Sequence, residues 1–159
     1  MKDISQQLAR QLKEFLYGQS MTGSSLKNVL DDVGYREAVF LLDSFNTIAM
    51  LSYHINYYMK GVSDVLSGQP LVIRDKFSFD CPDFQTEIAW TAFKQEIFEV
   101  ADVFAKRIEE LDSAKLEESF TDNNYGNYFR NLIGLLEHSH YHLGQIVILK
   151  KMIRYKGLE

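Results

Sequence analysis

Hydrophobic residues recur three and four positions apart over four long stretches of the chain, with polar residues between them. This is the period of an amphipathic α-helix that buries one side against its neighbours. The predicted long helices cover residues 3–17, a stretch from 46 or 47 to 68, a stretch from after 82 to about 111, and about 127–155. Short extra turns are predicted at residues 26–33 and 36–42. The pattern predicts an all-α four-helix bundle with short extra turns in its connections.

The third predicted helix has the clearest apolar stripe. Its members are Trp90, Phe93, Ile97, Val100 or Ala101, Phe104, Ile108 and Leu111. Steps of three and four residues keep these side chains on one side of a helix, as in the seam of a helical bundle. We therefore expect this helix to contribute a large part of the core.

Two polar connections separate the later helices. Residues 69–81 contain Pro70 and an alternating Lys-Phe-Ser-Phe-Asp segment, so an ordered connection that is extended in part is expected there. Residues 112–126 end in Asn-Asn-Tyr-Gly, which is a turn signal.

Length and composition agree with a helical domain. The 159 residues are close to the commonest size of one domain, so a single domain over residues 1–159 is predicted. Apolar residues make up 46% of the chain, enough for a hydrophobic interior without disulfides. Only two prolines and nine glycines occur, which favours long helices over many short strands with a turn every ten residues or so.

Charge and cysteine content indicate which classes of partner and which cellular compartment to expect. The net charge of −5 gives no general attraction to nucleic acid or to anionic lipid, so neither is expected as a partner. No apolar stretch reaches the roughly 20 residues of a membrane-spanning helix. Cys81 is the single cysteine, and no basic start followed by an apolar run marks a signal peptide. A cytoplasmic protein is expected.

The four histidines fall in two places, and three of them can face one point. His54 lies within the apolar arc of the second helix, while His138 and His142 are four residues apart on the fourth. Side chains at this spacing are neighbours on one helix face. His140 is turned about 200° from His138, at about 100° per residue, and is left out of the site. The three remaining imidazoles can meet only if the second and fourth helices are neighbours.

Three neutral imidazoles are a ligand set for a divalent transition metal. Imidazole is the commonest protein ligand for zinc and related ions, and three of them leave a coordination position open. Such an ion lowers the pKa of bound water to about 7 or stabilises a thiolate at neutral pH. The alternative is that His138 and His142 are ordinary surface residues and His54 is a hydrogen-bonded core residue. Three separately buried, unpaired imidazoles would be costly, which favours one shared site.

The same residues resemble a known family. The histidine in Ser-Tyr-His-Ile-Asn-Tyr-Tyr and the late segment His-Ser-His-Tyr-His-Leu-Gly-Gln-Ile resemble the motifs of the DinB-like (damage-inducible, YfiT-like) metal-dependent four-helix bundles. The resemblance covers nearly the whole chain in helix order and length. It implies that His54, His138 and His142 are the three metal ligands.

The resemblance also implies a fold and an activity. It implies an up-down-down-up bundle, frequently a homodimer, with zinc or nickel and water completing the coordination shell. Relatives of known activity include transferases and isomerases that use small thiols. The leading hypothesis is therefore a metal-dependent S-transferase that joins a small-molecule thiol to a small electrophile. The rivals are a metal-dependent hydrolase and a non-catalytic, metal-stabilised dimeric binding or stress-response module.

Several other residues near the histidines invite a role. Gln145 lies on the same side as His138 and is either a hydrogen-bond partner of a ligand imidazole or a plain surface amide. Tyr58 shares the face of His54 and either lines a pocket or is a core residue with a satisfied hydroxyl. Gly134 and Gly144 weaken the fourth helix, and close packing against another helix is predicted to explain them rather than room for a ligand. Cys81 is assigned no role.

Two other active-site types are excluded by the sequence. A serine-nucleophile enzyme of the hydrolase type would need a nucleophile elbow, which is missing. A di-iron bundle would need paired Glu-x-x-His segments, and these do not occur. Catalytic residues beyond the metal ligands therefore remain unassigned.

Overall fold

A computed structural model describes residues 3–18, 20–122 and 124–157, and the regular structure in these ranges is helical. The α-helices are Ile4–Tyr17 (α1), Leu26–Leu30 (α2), Tyr35–Ala38 (α3), Ile48–Leu66 (α4), Glu87–Glu109 (α5) and Tyr128–Tyr155 (α6). Two 3-10 turns, Asp75–Phe77 and Ser113–Glu117, lie in the connections. The described ranges contain no β-strand beyond one isolated antiparallel bridge between Ser119 and Asn127. The all-α prediction is confirmed.

Side-chain caps explain where the two histidine-bearing helices begin. The Thr47 hydroxyl accepts a hydrogen bond from the backbone N–H of Met50 at 3.1 Å, at the start of α4. The Asn127 side-chain oxygen accepts one from the backbone N–H of Arg130 at 2.9 Å, at the start of α6. Each such cap stabilises a helix by about 1 kcal/mol. Both helices therefore begin where the sequence predicts.

Some predicted boundaries are wrong by several residues. Helix α5 begins at Glu87 rather than directly after Pro82, because Thr86 is its cap and accepts from the backbone N–H of Ala89 at 3.2 Å. Phe84, in the segment before the cap, is buried and lies edge-on to the ring of Trp90 at 5.5 Å. The segment before Glu87 thus packs against the side of α5 instead of extending this helix by another turn at its start. Helices α2 and α3 are likewise shorter than the turns predicted at 26–33 and 36–42.

The four long helices pack around one apolar core. Helix α4 lies against both α5 and α6, and α1 also contacts α5 and α6. The predicted stripe of α5 is buried in this core, from Trp90 to Ile108. The contact between α4 and α6 meets the condition that His54 and the late histidines be neighbours.

Helix α4 is buried on more sides than its predicted apolar arc. The predicted arc contains Met50, Leu51, His54, Tyr58, Val62 and Val65. Ile55 and Met59 lie outside it and are fully buried. The connection that follows α4 also packs directly on this helix at Gly61. A Cβ atom added at Gly61 would lie only 2.5 Å from Cγ2 of Ile73. Tyr57 ties down the same connection by accepting from the backbone N–H of Arg74 at 2.9 Å. Residues 69–81 are therefore held against the helix that carries His54.

The carboxyl-terminal end of α6 is clamped to the α2–α3 region. Arg154 donates two hydrogen bonds to the buried carboxylate of Glu37, at 2.7 and 2.9 Å, and a third to Asp32 at 2.8 Å. Two parallel bonds between a guanidinium and a carboxylate fix both position and orientation. The clamp holds the helix that carries His138 and His142.

None of the helices in the described ranges is long and apolar enough to cross a membrane.

Candidate metal centre

Three imidazoles from two helices meet at one point between α4 and α6. One ring nitrogen from each of His54, His138 and His142 lies within 4.8 Å of the other two. The ring centroids are 4.9 Å apart for His54 and His138, 4.6 Å for His54 and His142, and 4.5 Å for His138 and His142. The three histidines singled out from the sequence are therefore close enough together to hold one ion.

The separations suit a single small ion. Ligand nitrogens about 2 Å from a tetrahedral zinc are about 3.3 Å apart. The Nε2 atoms of His54 and His138 are 2.8 Å apart, which is about 0.5 Å closer than this spacing. The other nitrogen separations are at most 4.8 Å, which is about 1.5 Å more than the zinc spacing.

Outer hydrogen bonds fix the tautomers of two of the three rings. The Nδ1–H of His54 donates to the carbonyl oxygen of Ser78 at 3.1 Å, and the Nδ1–H of His142 donates to Oε1 of Gln145 at 2.6 Å. Because both partners are acceptors, the proton of each neutral ring is on Nδ1 and the lone pair is on Nε2. Metal-binding histidines have this arrangement, in which an outer acceptor orients the ring.

The contact between His54 and His138 shows whether the donor atoms of the site suit a metal ion. The Nε2 of His54 carries a lone pair, and the Nε2 of His138 lies 2.8 Å from it. Two such nitrogens share either a proton, donated by His138, or a cation that both coordinate. The donor set is therefore suited to a divalent ion that prefers nitrogen ligands.

Burial keeps two of these rings neutral. His54 is 5% exposed, and this burial lowers its pKa to about 4, against the opposing effect of the Ser78 carbonyl. Burial also lowers the pKa of His138 below its ordinary value, with His142 adding to the effect. Neutral imidazole is the form that binds a metal, so both rings are ready to coordinate at neutral pH.

Aromatic side chains shield His54. The ring of Phe79 stacks on it with centroids 4.0 Å apart and an interplanar angle of 14°. Tyr58 lies edge-on to His54 at 5.0 Å, and its ring centroid is 5.2 Å from that of His138. The Tyr58 hydroxyl donates to Asp75 at 2.7 Å, so it is a satisfied group rather than a free one beside the histidines. Burial and this bond raise the Tyr58 pKa to about 12.

Sequence reasoning did not find the contribution of the connection after α4. Asp75, Ser78 and Phe79 all touch the site or its aromatic wall. The alternating segment that contains them is visible in the sequence, but the pattern does not say which helix it packs on. The close approach of Ile73 to Gly61 is what places it.

The structure shows the contacts of two residues, His140 and Gln145, that the sequence analysis considered beside the three histidines. His140 faces away from the site, as predicted, with its ring 4.9 Å from that of Phe15 and its Nδ1–H donating to the Leu136 carbonyl at 2.9 Å. Gln145 is a hydrogen-bond partner of His142 rather than a plain surface amide.

The prediction of close packing at Gly134 and Gly144 is wrong. A Cβ atom added at either position would have no atom within 4 Å outside its own helix turn. Both glycines instead line open grooves. The cost of glycine in a helix interior, about 1 kcal/mol relative to alanine, is therefore not offset by packing.

Two grooves flank the histidines. The first, which we call the His138 groove, has a volume of about 770 Å³ and includes Tyr58, Gly134 and His138 in its lining. The second, the Gln145 groove, has about 640 Å³ and is lined mainly by apolar side chains, with Gln145 and Gly144 at one wall. Of the three histidines, His138 lines the first groove, and none lines the second.

Comparison of the chain with protein-family models, with curated proteins and with solved structures finds no match. Functional inference therefore depends on the site itself.

Proposed function

We propose that this chain is a metal-dependent S-transferase of the DinB-like type, with zinc or nickel held by His54, His138 and His142. The observation that supports it most is the meeting of three imidazoles, two of which, His54 and His142, have Nε2 left as an acceptor by an outer hydrogen bond. When bound, the ion supplies a doubly positive charge that stabilises a thiolate or a hydroxide at neutral pH.

The proposed reaction joins a small thiol to an electrophile. In the overall balance, R–SH and R′–X give R–S–R′ and H–X: a sulfur–carbon bond forms, and the leaving group X takes the electron pair of the bond that breaks. The thiol loses its proton because the thiolate is the nucleophile. The chain itself holds the three imidazoles in place, with Ser78 and Gln145 orienting two of them. Phe79 and Tyr58 keep water from His54.

We also propose that the four long helices form an up-down-down-up bundle. Each of α1, α4, α5 and α6 contacts two of the others, which gives a closed ring of four. The two inner helices of this topology are parallel, so their connection must run the length of the bundle. Residues 67–86 provide such a connection between α4 and α5. A homodimer is part of the same proposal.

Activity measurements distinguish the transferase from its rivals. Protein loaded with zinc or nickel is mixed with 1-chloro-2,4-dinitrobenzene, a generic electrophile, and a panel of small thiols. The transferase predicts product formation that depends on both thiol and metal and is lost in His142→Ala. Turnover of activated esters without thiol would instead indicate a hydrolase. A metal that raises the melting temperature while no thiol reacts would indicate a non-catalytic ion.

A further inference from the structure

We propose that the His138 groove selects thiols that carry both a carboxylate and an ammonium group, with Arg130 binding the first and Glu137 the second. This inference rests on the proposed function, because it takes the metal-bound group to be a thiolate. It goes further by naming the class of thiol and the residues that recognise it.

The groove is placed to receive a ligand of the ion. His138 lines it directly, and Tyr58 of α4 also lines it. Its volume of about 770 Å³ lies within the range of small-molecule sites, about 300 to 1,000 Å³. A small molecule in this groove would contact one of the three proposed metal ligands.

Four charged, polar or open positions of α6 line the groove around Gly134. Arg130, Glu137 and His138 are four, three and four residues from Gly134, so each of them is its neighbour on the helix surface. Arg130 and Glu137 are separated by two helical turns, about 10 Å along the axis. The groove therefore has a cation at one end and an anion beside the metal ligand.

In the described part of the chain, neither the Arg130 nor the Glu137 charge forms an ion pair with another side chain. The Arg130 guanidinium donates to the backbone oxygen of Tyr125 at 3.3 Å, and no ion pair of Arg130 or Glu137 is found among residues 3–18, 20–122 and 124–157. A charge with no counter-charge can form an ion pair with a ligand without first breaking one in the protein.

The floor between the charges is open. A Cβ atom at Gly134 would have no atom within 4 Å outside its own helix turn, so the helix backbone itself forms the base of the groove there. Glycine permits a close approach of a ligand to backbone. The room at Gly134 lies between the two charged groups, where the body of a bound molecule would lie.

One cation and one anion, about 10 Å apart, complement a molecule with both charges on an extended frame. A thiol with a single charge satisfies only one of them. A peptide-sized thiol such as glutathione has carboxylates and an ammonium separated by several bonds, and its sulfur is on a flexible side branch that can extend to His138 at the end of the groove. This geometry is what distinguishes it from a simple alkyl thiol.

The experiment compares four thiols on protein loaded with Co²⁺, whose absorption changes when sulfur coordinates. The probes are 2-mercaptoethanol (neutral), 3-mercaptopropionate (carboxylate), cysteamine (ammonium) and glutathione (both). We expect glutathione to bind most tightly. Arg130→Gln should weaken binding of glutathione by about two- to fivefold, the range of an exposed ion pair. It should leave 3-mercaptopropionate unchanged, because Arg130 and His138 are about 12 Å apart along the helix and this thiol is too short to join them. Glu137→Gln should weaken binding of cysteamine and glutathione by a similar factor.

Two matched variants control for net charge. Arg10→Gln and Glu110→Gln remove the same charges from residues outside the groove and should change none of the four affinities. Cobalt content, measured for every variant, shows whether Glu137→Gln disturbs its neighbour His138. Binding of 2-mercaptoethanol should stay the same in Arg130→Gln and Glu137→Gln.

The possible results separate the two proposals. If all four thiols bind equally, or if both groove variants weaken all four to the same extent, charge recognition by Arg130 and Glu137 is wrong while thiol binding to the metal stands. If no thiol, including 2-mercaptoethanol, changes the cobalt spectrum, the transferase proposal fails and this inference fails with it.

Discussion

The side-chain oxygen of Gln145 lies 2.6 Å from Nδ1 of His142, three residues earlier on the same helix. The bond uses Nδ1, so Nε2 is the nitrogen that His142 has left for the ion between it, His54 and His138. A local helical contact thus orients a residue whose partners lie on another helix.

Replacing Gln145 should weaken metal binding without unfolding the chain. Outer partners of metal-binding histidines typically change metal affinity by about 10- to 100-fold. We expect Gln145→Leu to lower zinc affinity by this amount, measured by competition with a coloured chelator. Gln145→Glu keeps an acceptor and should retain the affinity or raise it. Equal affinities for wild type and Gln145→Leu would mean that the contact does not serve the site.

Filling the helix glycines should stabilise the protein. Gly134→Ala and Gly144→Ala place a methyl group where no atom lies within 4 Å, and each should raise the free energy of unfolding by up to about 1 kcal/mol. Urea denaturation measures this change. The control is Gly61→Ala, whose methyl group would meet Ile73 at 2.5 Å and should not stabilise. A loss of stability in Gly134→Ala would show that this position is packed after all.

Metal-free protein should lose stability as the pH falls below about 6.5. The folded pKa of His54 is lowered to about 4 by burial, whereas in the unfolded chain the ring has its ordinary value of 6.5. Between these values the unfolded state takes up a proton that the folded state does not, so unfolding becomes easier toward acid pH. The difference between the two pKa values corresponds to a loss of about 3 kcal/mol in the free energy of unfolding, which is complete near pH 4.

The control for this pH dependence is His54→Leu, which removes the titrating ring. Chemical denaturation in the presence of a chelator, at pH 7 and at pH 5, measures the difference. Other acidic groups titrate in both proteins, so the quantity of interest is the difference between the two pH slopes. If wild type and His54→Leu lose the same stability, His54 does not titrate as its burial requires.

Cys81 should react slowly with alkylating reagents. Its side chain is half-buried, and burial raises the thiol pKa to about 11, with Asp83 adding to the effect. At pH 8 the thiolate, which is the reactive form, is then about a hundredfold rarer than for a thiol of pKa 9.0. Iodoacetamide labelling should be slower by about that factor in folded than in urea-unfolded protein, and faster as pH rises. Equal rates would show an accessible thiol of ordinary pKa.

The sequence predicts the long helices well because their signals are local. The caps Thr47 and Asn127 sit at the starts of α4 and α6 in the structure as in the sequence. The i, i+4 spacing of His138 and His142 is also local, and it requires only that the helix form. For His54, the apolar arc of its own helix indicates that it faces inward.

The rest of the site depends on contacts between distant segments. Ser78 and Phe79 reach His54 only because the connection is packed on α4 at Gly61, and no pattern within the connection specifies this. At Gly134 the sequence led to a wrong prediction of close packing, whereas the position is open. Glycine in a helix is compatible with both close packing and open space, and only the positions of other helices distinguish them.

The most direct test is the metal content of protein purified without a polyhistidine tag, after incubation with zinc or nickel and removal of free ion. The account predicts about one ion per chain for wild type and for His140→Ala, whose ring faces Phe15. It predicts little or none for His54→Ala, His138→Ala and His142→Ala, with circular dichroism showing that each variant remains helical. Metal retained at the wild-type level in all three triad variants, or no metal bound by folded wild type, would contradict it.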